Sequence, residues 1–239
     1  MSKANNLTDF LTDLANTIRS ITGGSALIDP QDFASIIQNL PQPLFKSLVD
    51  RSITEITAED LQGMTNIGNN AFTECRQLRK VSLPESITLL GENAFQACFV
   101  LEGINIPSGI STISSFCFYN CRVLKELIIP SGVSEIGASA FRYCLGMEKF
   151  IILREEPPTL TNVNAFDNSA FPIYVPASSV DTYKAATNWL SLASRIFPLV
   201  NAVTDLPNID TTIYTKACVI GNDEYIPYVY DGTSWNVAQ

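Results

Sequence analysis

Apolar positions between residues 64 and 155 return in register every 23 residues. Four segments carry them without gaps: 64–86, 87–109, 110–132 and 133–155. One column holds Ile67, Leu90, Ile113 and Ile136. A second holds Phe72, Phe95, Phe118 and Phe141, and a third Cys75, Cys98, Cys121 and Cys144. Leu78, Leu101, Leu124 and Met147 form a fourth, and Leu83, Ile106, Ile129 and Ile152 a fifth. A fixed period of this kind predicts a solenoid, because each unit buries its apolar columns only by stacking on its neighbours. Within a unit, Lys80-Val81-Ser82-Leu83 alternates polar and apolar, the period of a half-buried strand. Pro84, Pro107 and Pro130 end that strand, since proline cannot donate to a continuing ladder. The Phe column predicts one aromatic ring per unit lined up through the core, each burying roughly 150–250 Å².

Different periods flank the repeat. Leu7, Phe10, Leu11, Leu14 and Ile18 lie on one helical stripe ended by Gly23-Gly24. Asp29-Pro30 restarts a helix whose stripe is Phe33, Ile36, Ile37 and Leu40. Each helix is too short to stand alone in water, so the pair must pack on something. Residues 52–56 read as a first, degenerate strand. Val180, Tyr183, Ala186, Leu190 and Ala193 recur at helical spacing after Ser178 and Ser179, which predicts a helix capping the open end of the solenoid. Residues 211–220 and 225–230 read as strands joined by a turn at Gly221-Asn222-Asp223-Glu224, a hairpin too small to be stable alone. The expected fold is therefore mainly β with short helices: an N-terminal helical pair in 1–45, a solenoid with its capping helix in 46–200, and a small tyrosine-rich β module in 201–239.

Composition and charge narrow the chemistry. The chain has 239 residues, 46% hydrophobic and 16% charged, which is too apolar for disorder. A net charge of -9 with scattered Lys and Arg argues against nucleic acid as a partner. No apolar run approaches the ~20 residues that span a bilayer. The opening Met1-Ser2-Lys3-Ala4-Asn5-Asn6 lacks the pattern of a secretory signal, so synthesis in a reducing cytoplasm and six free thiols are expected. Histidine is absent. That removes the commonest general base and the commonest zinc ligand, and the expectation is a protein that is not an enzyme, with no metal and no cofactor. Four in-register cysteines form a row and do not converge on one point as a zinc site requires, so they read as core thiols. Glu155-Glu156 and Asp223-Glu224 read as solvated turn carboxylates.

The spacing Ile-Gly-x-x-Ala-Phe-x-x-Cys-x-x-Leu-x-x-Val-x-Leu-Pro, with its variants in the four units, resembles the BspA-type leucine-rich repeat, over roughly residues 50–200. Cys117 replaces the usual alanine, and the fourth unit lacks the strand-ending proline. Pro157-Pro158-Thr159-Leu160, Ala165-Phe166 and Ile173-Tyr174-Val175-Pro176 resemble the closing unit of that family, and Val180 to Trp189 its terminal helix. Both flanks are also similar to segments of bacteriophage virion proteins: Leu11-Thr12-Asp13 with Ile18-Arg19 and Thr22-Gly23 at the start, Tyr228-Val229-Tyr230-Asp231-Gly232 with Trp235 at the end. The resemblance implies a virion protein assembled in the host cytoplasm and acting in attachment as part of a tail, baseplate or capsid fibre. Residues 1–45 would then hold other virion proteins, with a host-surface protein or glycan as the external partner. The other reading is a bacterial cell-surface adhesin of the BspA-like group. Self-association is left open.

Two surfaces are candidate binding sites. The outward strand positions of the solenoid are Lys80, Ser82, Asn105, Glu126, Ile128, Lys149 and Ile151, and the adjacent Ile128 and Ile151 are expected to be exposed unless the flanking modules cover them. In the C-terminal module, Tyr225, Tyr228, Tyr230 and Trp235 read either as rings that stack on sugars or as the hairpin's own core. Arg79, Glu102, Lys125 and Glu148 alternate in sign from unit to unit, which predicts cross-strand charge pairs.

Overall fold

The computed structural model describes residues 52–200, 205–206, 216–221, 224–230 and 233–238. The helices expected within residues 7–40 lie outside the described residues. Each repeat contributes to two walls. On one wall β1 (Glu55–Ile56), β3 (Lys80–Val81) and β5 (Gly103–Ile104) pair in parallel. On the other, β2 (Asn66–Ile67), β4 (Leu89–Leu90), β6 (Thr112–Ile113), β8 (Glu135–Ile136) and β10 (Thr159–Leu160) do the same. Lys80 pairs with Gly103, Asn66 with Leu89, and Ile113 with Ile136, so each step along a wall advances the chain by one unit.

Between the walls the chain turns tightly, and the turn explains the motif. Ala71 and Cys75 donate their N–H groups to carbonyls three residues back, at Gly68 and Phe72. Two residues per turn sit at positive φ: Asn70 and Glu74, Asn93 and Ala97, Phe116 and Asn120, Ser139 and Tyr143. In that conformation their N–H groups aim along the solenoid axis and bond to the next unit. Asn70 donates to the Glu92 carbonyl at 2.8 Å, Asn93 to Ser115 at 3.1 Å and Phe116 to Ala138 at 2.9 Å. These axial bonds pair backbone donors that would otherwise be buried without acceptors.

Inside, Phe72, Phe95, Phe118, Phe141 and Phe166 form one stack. Successive ring centroids lie 5.2, 5.6, 5.6 and 5.5 Å apart, with interplanar angles between 2° and 16°. All five are buried. The cysteine column runs beside them: the thiols of Cys98, Cys121 and Cys144 donate to the carbonyls of Phe72, Phe95 and Phe118 at 3.1–3.2 Å. Ser169 continues the row one unit on, donating to the Phe141 carbonyl at 2.8 Å and accepting from the Cys144 N–H at 3.0 Å.

A seven-stranded sheet carries the first wall onward. Its order is β15 (Trp235–Val237), β14 (Glu224–Tyr230), β13 (Lys216–Gly221), β12 (Ile196–Val200), β11 (Ile173–Pro176), β9 (Lys149–Ile152) and β7 (Glu126–Ile129). The first four steps from β7 to β13 are parallel and the last two antiparallel. β12 was not expected from the sequence. Its Pro198 disguised a strand whose Ile173–Ile196 pairing continues the wall from β11.

The terminal helix is shorter than its apolar spacing predicts. α1 covers Val180–Ala185, because Ala186 takes an extended conformation and Asn188 a left-handed one. Ser179 occupies the cap position without a side-chain capping bond. With the register broken, Leu190 is 70% exposed, and Trp189 and Leu192 take the buried places. Side chains of this segment satisfy carbonyls of the last unit: Tyr183 donates to Arg154, Asn188 to Leu160 and the Trp189 indole to Pro158, each at 2.8 Å.

Candidate partner-binding faces

The outward strand face divides into two halves. Lys80, Ser82 and Asn105, on the first units, are exposed. Asn105 is nevertheless committed to structure. Its side-chain amide accepts from the Leu83 N–H at 2.7 Å and donates to the Leu83 carbonyl at 2.8 Å, linking the two units just beyond the ends of β3 and β5.

On the later units the apolar pair is covered, the second of the two alternatives the sequence left open. Ile151 is fully buried and Ile128 half-buried. Both belong to a second apolar cluster on the outer side of the sheet, with Tyr174, Leu199 and Cys218 at its centre and Phe197, Ile220 and Tyr225 around it. The reason is curvature. β14 lies four strand positions from β9, about 19 Å away in a flat sheet at ~4.8 Å per strand. Yet the Lys149 ammonium donates to the Tyr225 carbonyl at 3.1 Å. The sheet therefore curls back over its own outer face, as a strongly twisted sheet does, and the C-terminal hairpin covers the later units. Under this cover Glu126 and Lys149 form an ion pair that is mostly shielded from solvent.

The same curl positions the C-terminal aromatics. Tyr225 packs into the cluster around Ile151, while Tyr228 and Trp235 pack against Val200, Leu206, Ala217 and Val219 on the other side. These rings are half-buried against the module's own cores. The side chain of Tyr230 lies outside the described residues.

All six cysteines are free and buried. Burial pushes the Cys144 and Cys218 thiols up to about 12, and those of Cys117 and Cys121 further, so these four stay protonated at neutral pH. Among the described residues no group of three metal-binding side chains occurs. No helix there is long and apolar enough to cross a membrane. Of the alternating charge column, Arg79 and Glu102 meet at 2.7 Å, both more than half exposed. Among the described residues Lys125 and Glu148 form no such pair.

The turn side holds a surface that the column analysis missed. Phe116 is 38% exposed and meets Tyr119 edge-on at 5.7 Å; Tyr119 meets Tyr143 edge-on at 5.6 Å. The Arg142 guanidinium lies 5.1 Å from the centre of the Tyr143 ring. Comparing the variable columns would have found it: Asn70, Asn93 and Ser139 stand where Phe116 does, and Glu74, Ala97 and Asn120 where Tyr143 does.

The profile described as BspA type leucine rich repeat region, in six copies, matches residues 38–172, more than half of the chain. The chain belongs to the BspA-type leucine-rich-repeat family. Its solenoid is similar in sequence to a leucine-rich repeat protein from Bacteroides ovatus ATCC 8483 of known crystal structure. Identity is 30% and the TM-score 0.40, over 46% of this chain and 28% of that one. The BspA-type chain thus spans less than a third of that protein's length. Comparison with curated proteins gives no match.

Proposed function

We propose that this BspA-type chain is an adhesion-type, partner-binding scaffold carried on a bacteriophage particle as a tail, baseplate or capsid-attached component. The observation that carries the adhesive part is the repeat itself. Stacked 23-residue units with a continuous aromatic core make a stiff rod whose side chains vary freely on the surface, the arrangement by which solenoids present extended binding faces. In this reading α1 and Trp189 close the last unit, the hairpin covers the adjoining strand face, and Lys80 and Ser82 remain open to a partner. Residues 1–45 hold the rod to other virion proteins, and the external partner is a host-surface protein or glycan. Repeat scaffolds of this kind act as interaction surfaces, so no reaction is assigned.

The virion part is supported by the similarity of both flanking segments to virion modules. A phage carrying the gene without codons 2–45 should assemble particles lacking this chain, as measured by immunoblotting of purified virions. Normal incorporation of the truncated chain would refute the anchor. The family match equally suits a bacterial surface adhesin. Recovery of the full chain from cell envelopes, with none in virions, would establish that reading instead.

A further inference from the structure

The turns of the third and fourth units, residues 114–124 and 137–147, differ in chemistry from the rest of an acidic chain. They carry Arg122 and Arg142 and no carboxylate, against a net charge of -9 overall. Phe116 holds a bulky side chain at φ 57°, where the neighbouring units place Asn70, Asn93 and Ser139. Asparagine tolerates that conformation and phenylalanine is strained in it. Its ring meets Tyr119 edge-on and leaves 38% of the residue exposed. A strained backbone position that presents part of an aromatic ring to solvent points to a surface kept for contact.

The polar groups point the same way. Arg142 forms no ion pair or side-chain hydrogen bond to any described residue, and among the described residues its shielded Nε finds no acceptor while the guanidinium lies over Tyr143. Its outer Nη edge therefore remains as a fork of donors that matches a carboxylate. The hydroxyls of Tyr119 and Tyr143 likewise bond to no described residue. Backbone groups are already engaged: the N–H of Phe116 bonds to Ala138, that of Asn120 to Arg142 and that of Tyr143 to Asp167. An extended peptide would find no free edge to pair with, so recognition here runs through rings, phenols and a guanidinium.

We infer that this face binds a carboxylated saccharide of the uronic-acid type. A pyranose ring offers C–H groups to the tyrosine faces, hydroxyls to the phenols and a carboxylate to Arg142. The inference rests on the adhesive reading above and names its ligand class.

The test uses the full-length chain titrated by calorimetry with trigalacturonic acid, maltotriose and a triglutamate peptide. Three variants each take the residue that a neighbouring unit holds in the same column, which keeps the turn foldable: Arg142→Gln after Gln96, Tyr143→Asn after Asn120, and Phe116→Asn after Asn93. Trigalacturonate should bind saturably and at least tenfold more tightly than either other probe. Each variant should lose tenfold or more in affinity with its unfolding midpoint retained. No saturable binding, equal binding of triglutamate, or unchanged affinity in Arg142→Gln would overturn the assignment. The two readings fail separately. A chain that holds trigalacturonate through Arg142 yet does not adhere to host cells refutes the adhesive role and supports this site. Adhesion that survives Arg142→Gln unchanged refutes the saccharide assignment alone.

Discussion

Replacing Phe118 by alanine tests the aromatic stack at its centre. The ring is fully buried, with Phe95 and Phe141 on either side at 5.6 Å. Truncating a buried phenylalanine costs about 3–5 kcal/mol through lost transfer energy and the cavity left behind. Each aromatic neighbour adds about 0.5–1.5 kcal/mol beyond area, and Phe118 has two in the stack. Phe72 stands at the end of the stack, with Phe95 at 5.2 Å as its one stacked partner. Phe72→Ala should therefore cost about 0.5–1.5 kcal/mol less than Phe118→Ala, by the one ring contact it does not lose. Urea unfolding followed by far-ultraviolet circular dichroism measures both. A Phe118→Ala cost below ~1 kcal/mol, or a larger cost at Phe72, would show that the rings are not the continuous core described here.

Three further outcomes are expected. Ile151→Ala should destabilise the chain by about 2–5 kcal/mol in the same assay, while Ser82→Ala on the open half should stay within ~0.5 kcal/mol; equal, small effects would mean that the hairpin does not cover Ile151. Folded-state values raised from 9.0 to about 12 for Cys144 and Cys218 make stability complete below pH 9 and progressively lost toward pH 12, as the unfolded chain alone releases those protons. Thermal midpoints from pH 8 to 11 should fall accordingly, less steeply in Cys144→Ala, and a flat profile would contradict the burial. Arg79→Ala should cost under ~1 kcal/mol, because both partners of its ion pair are more than half exposed; a cost above 2 kcal/mol in denaturant titration would contradict that.

The repeat was legible in the sequence because burial in a solenoid is imposed column by column. Phe72 through Phe141 and Cys75 through Cys144 announce themselves by period alone. Ser169 escaped notice because it swaps sulfur for oxygen while keeping the same bond to the phenylalanine backbone carbonyl of the preceding unit. The limits of α1 were not legible either. Spacing carries the stripe through Leu190 and Ala193, and only the backbone at Ala186 and Asn188 breaks it. Long-range contacts were the least visible. That Ile151 disappears under strands some 50 to 75 residues later depends on how far a sheet curls, and curl is summed over many strands with no local signature. The turn-face aromatics were legible in principle. They stand in variable columns, which a search for shared apolar positions passes over.

The axial N–H groups of the left-handed residues have a consequence for how such a protein changes length. Every unit presents its successor with the same row of donors and the same ring surface, so insertion of one more 23-residue block leaves both junctions chemically unchanged. Duplicating residues 87–109 would lengthen the rod by one strand spacing, ~4.8 Å. Reach thus becomes a quantity that gene duplication adjusts in discrete steps, independently of whatever each end grips.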